Sequence, residues 1–299
     1  MPEQLGFSRA HARSRTSFKR SRRLVAALAL AGLAIAGWPT SVAAVPAPPP
    51  VHGRAQPGPA LWVVSDADTT IYLFGTFHAL DGRSSWFNRN VKAAFDASDL
   101  LVLETLVPED PAELNAVLTR NSLMKAPKAG EPVISADKAP SFVASAGQAM
   151  SAGRSMGMSV DQGADAVLRR AATAVGKPVG GLESFDFQLR MFGSLPAPPS
   201  TARPATGGDM QGMLAHMQSA WVRGDNDSFA AILGNVQAQS PATYKALFVD
   251  RNVNWAGWIA GRMQQPGTVF VAVGTGHLIG SDSVQAKLAE RGIRTTRIS

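Results

Sequence analysis

The chain contains no cysteine in its 299 residues, which excludes disulfide bonds, thiolate nucleophiles and cysteine-ligated zinc sites. Charged residues are also scarce: they make up 17% of the chain, whereas 45% of it is hydrophobic. The mean hydropathy is near zero. This balance is typical of a globular protein and not of a disordered one. Without disulfides, the fold must be stabilised by its apolar core, and about 250 residues are enough to form one.

The excess positive charge of the chain is confined to its first 44 residues. The formal net charge is +7, and residues 1–44 hold seven basic residues against one acidic residue, which leaves only +1 for the rest. A body this close to neutrality lacks the basic surface that binds phosphate backbones. We therefore predict that the protein has no nucleic-acid partner.

The first 44 residues are laid out like a secretory signal peptide. A basic segment ends at Arg23, residues 24–38 are apolar, and the small residues 41–44 offer a cleavage site. The apolar stretch is shorter than the roughly 20 residues that a membrane span needs. We predict export to the periplasm or the cell exterior. The alternative is an uncleaved anchor, which is the only membrane contact we expect, and the Arg22-Arg23 pair leaves open a twin-arginine route.

Residues 45–60 contain six prolines and predict an extended linker, followed by one domain over residues 61–299. The patterns in this domain predict strands at 61–64, 69–74, 100–103, 179–182, 268–273 and 293–298. They predict helices at 86–98, 111–120, 140–150, 165–175, 210–223, 227–234, 241–263 and 283–291. The Pro-rich residues 193–209 indicate a loop or insertion. The predicted fold class is α/β, a layered sheet with flanking helices and a helix-rich middle segment.

A repeated pattern is the sharpest signal for a site. One predicted strand runs into Gly75-Thr76-Phe77-His78, and another runs into Gly274-Thr275-Gly276-His277. In open α/β sheets, ligands bind beyond the carboxyl ends of the strands, and glycine permits the tight turn there. If both strands lie in one sheet, the two imidazoles converge. The other three histidines fall in the leader (His11), the linker (His52) and a predicted helix, where His216 is interpreted as surface or core.

Two carboxylates end predicted strands in the same way, Glu104 after LLVL and Glu183 after VGGL. Histidines and carboxylates together are suitable ligands for zinc, manganese, cobalt or iron. Such an ion lowers the pKa of bound water and generates a nucleophile for hydrolysis. The alternative is metal-free catalysis, with histidine as general base and glutamate orienting it. Solvation of a strand end is the purely structural interpretation of either acid.

Five stretches of the chain resemble the TraB/GumN family and occur in the family's order over roughly residues 61–299. The stretches are IYLFGTFHAL, LLVLE, GADAVLRRAATAVGKPVGGLESFDFQL, RNVNW and TVFVAVGTGHLIGSDSVQAKLAERGI. The most specific pieces are GTFH, GLES with Gln188, Arg251-Asn252 with Trp255, and GTGHLIG. The Pro-rich stretch at 193–209 departs from the family pattern and looks like an insertion.

This resemblance implies a function and a set of site residues. The family includes the Tiki proteins, metal-dependent peptidases with two Gly-x-x-His motifs, and pheromone-shutdown proteins that lower the activity of a peptide signal. By resemblance, His78, His277 and Glu104 would be metal ligands and catalytic groups. Glu183 would be a second acid, and Arg251 and Asn252 a pair facing the same crevice, or alternatively a helix cap or buried hydrogen-bond network. The family is similar in fold to erythromycin-esterase-like and ChaN-like proteins.

Three functions follow as hypotheses. The first is a metal-dependent, peptidase-like hydrolase of the cell envelope that acts on a peptide or a small molecule. The second is a protein that sequesters such a ligand without turnover, and the third is an iron- or haem-binding protein, suggested by the ChaN-like resemblance. The histidine and glutamate positions favour the first hypothesis, because binding alone does not require them.

Overall fold

A computed structural model describes residues 58–87, 89–121, 141–195 and 207–299. The predicted leader at 1–44 and the predicted linker up to residue 57 lie outside this part of the chain. Residues 58–60, the last of the predicted linker, are buried. Among the described helices, none combines the length and the apolar composition that crossing a membrane would require.

Six strands form one mixed sheet, which confirms the predicted α/β class. In chain order they are β1 (Leu61–Ser65), β2 (Thr69–Thr76), β3 (Leu100–Thr105), β4 (Val179–Glu183), β5 (Gly267–Gly274) and β6 (Thr296–Arg297). Their spatial order is β4-β3-β5-β2-β1-β6. The four strands from β4 to β2 are parallel, β1 pairs antiparallel with β2, and β6 pairs antiparallel with β1. The carboxyl ends of four neighbouring strands therefore meet at one edge.

The predicted hairpin of the first two strands is confirmed. Strand β1 pairs with β2 along its whole length, from Leu61 opposite Phe74 to Ser65 opposite Thr70. Asp66 closes the turn, because its side chain accepts the backbone N–H of Thr69 at 2.8 Å.

Ten α-helices accompany the sheet in the described part of the chain. They are α1 (Arg89–Asp96), α2 (Pro111–Arg120), α3 (Ser141–Ser155), α4 (Ala164–Ala174), α5 (Phe185–Ser194), α6 (Gly207–Arg223), α7 (Asn226–Gln239), α8 (Pro241–Tyr244), α9 (Asp250–Arg262) and α10 (Val284–Ala289). Short 3₁₀ turns occupy Val160–Gln162 and Thr275–Leu278. The helix-rich middle predicted from the sequence corresponds to α2 through α9.

Several predicted boundaries were wrong. The helix predicted at 241–263 is interrupted by a π-helical segment, Lys245–Val249, which separates α8 from α9. The loop predicted at 193–209 is helical at both ends, and residues 196–206 lie outside the described part. The last strand comprises only Thr296–Arg297, although the backbone N–H of Ile298 also donates to the carbonyl of Leu61 at 2.8 Å. Proline and glycine signal a break but do not fix where helical hydrogen bonding stops.

Side chains alternate between two apolar layers, one on each face of the sheet. Phe74 and Phe270 face the larger layer, which is covered by α1, α2 and α4–α7. Leu73 and Val271, their neighbours in sequence, face the smaller layer under α9 and α10. This alternation follows from the two-residue period of a strand. The central strands are thus buried on both faces, which makes their carboxyl ends a rigid support for a site.

Trp221 of α6 connects the helical layer to the first Gly-x-x-His motif. Its ring is fully buried and lies 6.3 Å from that of Phe74. Its Nε1–H donates a hydrogen bond of 2.8 Å to the carbonyl of Gly75. A tryptophan in the core thereby holds the end of β2 in place.

The segment before α4 is docked on the loop that carries His78. Leu80 and Ser159 exchange two backbone hydrogen bonds, and the backbone N–H of Ala164 donates to the carbonyl of Phe77 at 3.0 Å. Gly163 lies so close that a Cβ atom there would overlap the carbonyl oxygen of His78. The close approach therefore requires glycine at position 163.

We expect Gly163→Ala to lower the free energy of unfolding by about 1–3 kcal/mol, the usual cost of overpacking, because the obstacle is backbone. Chemical denaturation measures this loss. Gly212→Ala is the matched control, since a methyl group in α6 meets nothing within 4 Å. Because alanine favours a helix more than glycine does, Gly212→Ala should raise the free energy of unfolding by about 0.5–1 kcal/mol. Equal stabilities for the two variants would contradict the docking.

Candidate functional site

The two Gly-x-x-His motifs follow adjacent parallel strands and are offset by one residue, because Gly274 lies opposite Thr76 and Gly75 lies opposite Val273. Strands β2 and β5 pair from Thr69 opposite Gly267 to Thr76 opposite Gly274. His78 and His277 therefore leave the sheet side by side, as expected if both strands share one sheet. The hydroxyl of Thr275 also donates to the carbonyl of Thr76 at 2.9 Å, which fixes one turn against the other.

Glu104 lies near the end of β3, on the other side of β5, and points into the same crevice. Its Oε1 accepts the backbone N–H of Gly274 at 2.7 Å and lies 3.6 Å from Nε2 of His277. Its Oε2 accepts Nη2 of Arg251 at 2.9 Å and Nε2 of Gln188 at 3.3 Å. Both oxygens of Glu104 thus have defined partners, and the residue is 9% exposed.

Arg251 links the two predicted carboxylates. Besides Glu104, it holds Glu183 at the end of β4 through Nε, at 2.9 and 3.1 Å, and through Nη2, at 3.0 Å. Its Nη1 donates to the carbonyl of Leu247 at 3.1 Å, and its guanidinium lies over the ring of Trp255. One buried guanidinium therefore compensates two buried carboxylates, as such charges require.

The hydrogen bonds around His277 define its tautomer. Asn252 donates through Nδ2 to the carbonyl of Asp282 at 2.7 Å, so its Oδ1 faces Nδ1 of His277, 2.6 Å away. Nδ1 of His277 therefore carries the proton, and Nε2 accepts Nη1 of Arg251 at 3.0 Å. Burial and the guanidinium together lower the pKa of His277 to about 3, so the ring is neutral at physiological pH.

His78 is held by a different kind of partner. Its Nδ1 lies 2.7 Å from Oδ2 of Asp165, in the first turn of α4. Burial opposes protonation, but Asp165 and the negative charge of Glu104 outweigh it and raise the pKa of His78 to about 9. The two histidines therefore differ in charge at neutral pH although their sequence motifs match.

The pKa values of the two predicted carboxylates are shifted in opposite directions. Burial would raise the pKa of Glu104, but Arg251, the two histidines and the Gly274 amide hold it well below its usual range. Burial raises the pKa of Glu183, although Arg251 opposes that shift. Glu104 is thus the ionised anion at the centre of the cluster.

A cavity of about 1080 Å³ opens onto this cluster. Its base includes His78, Glu104, Arg251 and His277. Its walls are largely apolar and come from α5, α6, α7 and the π-helical segment, with the side chains Phe192, Met213, Met217, Phe229 and Phe248. A polar rim is formed by Glu109, Asp161, Arg169 and Arg170. The His78 side chain is 21% exposed and that of His277 only 5%, so His78 is the more accessible of the two.

The donor types and the local space fit a divalent transition metal. A methyl group at Gly274 would lie 3.0 Å from Nε2 of His78 and 3.0 Å from Oε1 of Glu104, so both donors border the space beside that glycine. Imidazole and carboxylate are the ligands such ions prefer. Within the described residues, however, no group of three or more acidic, histidine or cysteine side chains is already arranged around a metal position.

Arg251 is the residue that such an ion would displace. Its Nη1 donates to the same His277 nitrogen that would bind the metal. With the protonated His78, it supplies the positive charge that faces Glu104 in this arrangement.

All six residues predicted for the site come together. Glu104, His277, Arg251, Glu183 and Asn252 form one connected network with Gln188. The pair of His78 and Asp165 borders this network across the space beside Gly274. Arg251 belongs to a buried hydrogen-bond network and also lines the cavity, whereas Asn252 belongs to the network and is not a cavity-lining residue. His216, interpreted as surface or core, is exposed on α6.

The residue that sequence reasoning missed is Asp165. It is a carboxylate from α4, and not Glu104, that contacts the accessible His78 ring directly. Its only sequence signal is its place in the GADAV stretch at a predicted helix start. Acidic residues are common in the first turn of a helix, where they interact favourably with the helix dipole. The sequence therefore did not distinguish Asp165 from an acid with only that structural role.

Comparison with known families identifies one family for this chain. The model of the TraB/PrgY/gumN family matches the chain over residues 60–139 and 106–297. These ranges include both Gly-x-x-His motifs and every residue of the cluster. Comparisons with curated proteins and with solved structures return no match.

Proposed function

The chain belongs to the TraB/PrgY/gumN family, and from this premise we propose that it is a hydrolase whose reactive centre is the cluster of His78, Glu104 and His277 beside Gly274. The observation that carries the proposal is the convergence of these three side chains at the base of one cavity. Histidines and an ionised carboxylate on rigid strand ends are the groups that hydrolysis uses for proton transfer and for binding a metal.

In the metal-dependent form, Nε2 of His78, Nε2 of His277 and the Glu104 carboxylate would hold a zinc, manganese, cobalt or iron ion. When bound, that ion supplies a water molecule of lowered pKa. Asn252 orients His277 by accepting its Nδ1–H. In the metal-free form, His78 is the acid–base group. This metal-free form is the alternative because Arg251 already donates to Nε2 of His277, the nitrogen that would bind the metal.

The proposed substrate is a peptide or a small molecule with apolar groups. Ligand pockets commonly have volumes of about 300–1,000 Å³, and a cavity of about 1080 Å³ accommodates several residues of a peptide. Aromatic and methionine side chains on its walls bind apolar groups without strict shape requirements. We further propose that the protein acts in the cell envelope after export, on the basis of its N-terminal residues 1–44.

The test combines metal analysis with a hydrolysis assay on the purified protein, prepared without chelator or affinity metal. We expect about one equivalent of a transition metal and cleavage within a mixture of peptides. The double variant His78→Ala/His277→Ala should lose both while keeping its circular-dichroism spectrum. His216→Ala is the matched control, because His216 is an exposed histidine on α6.

The outcomes separate the proposals. Cleavage without metal, insensitive to chelator, would support the metal-free form. Binding of peptides without cleavage, with or without metal, would replace the hydrolase by a sequestering protein. Metal retained by the double variant would show that His78 and His277 are not the ligands.

A further inference from the structure

Asp165 occupies a position that neither the proposed ligand set nor the Gly-x-x-His motifs include. It lies in the first turn of α4 and borders the cavity, with 26% of its side chain exposed. Both of its oxygens are engaged: Oδ2 with Nδ1 of His78 at 2.7 Å, and Oδ1 with the hydroxyl of Thr76 at 2.9 Å. A carboxylate that served only the helix dipole would not need either partner.

The backbone fixes where this carboxylate lies. The N–H of Ala164 donates to the carbonyl of Phe77, and the docking of Gly163 on His78 leaves no space for a side chain. The backbone just before Asp165 is therefore fixed to the loop that carries His78, the same residue that the Asp165 side chain contacts. Thr76, the last residue of β2, adds a second attachment on the sheet itself.

We infer that Asp165 is the positioning residue of His78: it holds the ring through Nδ1 and so directs Nε2 towards Glu104 and Gly274. That Asp165 holds the His78 ring rests on geometry alone, whereas its importance for hydrolysis rests on the proposed function. A carboxylate behind a histidine fixes the tautomer and orientation of the ring, whether the other nitrogen binds a metal or transfers a proton.

The two histidines of the repeated motif thereby acquire different supports. His277 is held by the neutral amide of Asn252, whereas His78 is held by a carboxylate. His78 is also the more exposed ring. The sequence repeat therefore conceals two distinct roles: a fixed ring at the back of the cluster and an accessible, carboxylate-supported ring facing the cavity.

The test uses ¹⁵N-labelled imidazole NMR of the purified protein beside an activity assay. In the wild type, we expect a slowly exchanging, downfield Nδ1 proton on His78, assigned with His78→Gln. Asp165→Asn should move or abolish this resonance and reduce hydrolysis by about 10–100-fold, as is usual for residues that support a metal-binding histidine. Thr76→Val, which removes one bond to Asp165, should shift the resonance less and cost less activity.

Asp161→Asn is the control for the resonance, because Asp161 is an exposed acid in the same segment. An unchanged His78 resonance in Asp165→Asn would overturn the inference, even if activity or stability fell. If Asp165→Asn does not fold, Thr76→Val and Asp165→Glu report on the same resonance. A shifted resonance in a protein that hydrolyses nothing would retain the positioning role and reject the proposed function.

Discussion

Replacing Arg251 by methionine is expected to lower the free energy of unfolding by about 3–5 kcal/mol, the usual cost of removing one partner of a buried ion pair. Because the methionine side chain is similar in length to that of arginine, the substitution removes mainly the charge and little of the packing volume. Only 5% of the Arg251 side chain is exposed, and it compensates Glu104 and Glu183, which are 11% and 7% exposed. Glu183 would then remain buried without a cation, and Glu104 would keep only the protonated His78 nearby. Urea denaturation in the presence of a chelator measures the change.

Lys245→Met provides the matched control. Lys245 also pairs with an acid, Asp250, but both side chains are more than half exposed, so we expect a loss below about 1 kcal/mol. Combining Arg251→Met with Glu104→Gln and Glu183→Gln should recover much of the stability, because no buried charge is then uncompensated. A single Arg251 variant no less stable than Lys245→Met would show that the two carboxylates do not depend on Arg251 for their compensation.

The parts of the site that lie on the sheet were predictable from the sequence. Apolar stretches before Gly75 and Gly274 identify buried strands, and the carboxyl ends of parallel strands meet at one edge. Glu104 and Glu183 end strands in the same way, so their arrival at that edge follows from the same rule. The sequence did not specify which strands are neighbours. That β5 lies between β2 and β3, with Gly274 against Glu104, follows only from the long-range pairing.

The parts contributed by helices were not predictable to the same degree. Asp165 reaches His78 only because Gly163 packs on the preceding loop, a contact between residues far apart in sequence. The resemblance placed Arg251 near the crevice. Its contact with both carboxylates and His277 depends on how α9 packs after the π-helical segment. Such segments are frequent at functional sites, but no pattern of apolar residues distinguishes them from an α-helix.

The second large effect is expected for Gly274→Ala, which should reduce hydrolysis by at least about 100-fold, the scale of loss that a displacement of about 1 Å can cause. The backbone dihedral angles of Gly274, φ −51° and ψ 135°, are accessible to alanine, so the strand should fold. The added methyl group would lie 3.0 Å from Nε2 of His78 and from Oε1 of Glu104. It would occupy the space in which these two groups converge, and either would have to move.

Gly257→Ala is the control for this variant, because its methyl group on α9 meets only the end of Arg291, at an ordinary 3.6 Å. It should leave hydrolysis unchanged and raise stability slightly. Steady-state assays of both variants, with melting temperatures, separate an effect on the site from an effect on the fold. Full activity in Gly274→Ala would place the reacting groups elsewhere in the cavity, since no reaction centred between His78 and Glu104 tolerates a methyl group there. Loss of activity with an unchanged melting temperature would locate the reaction at the ends of β3 and β5.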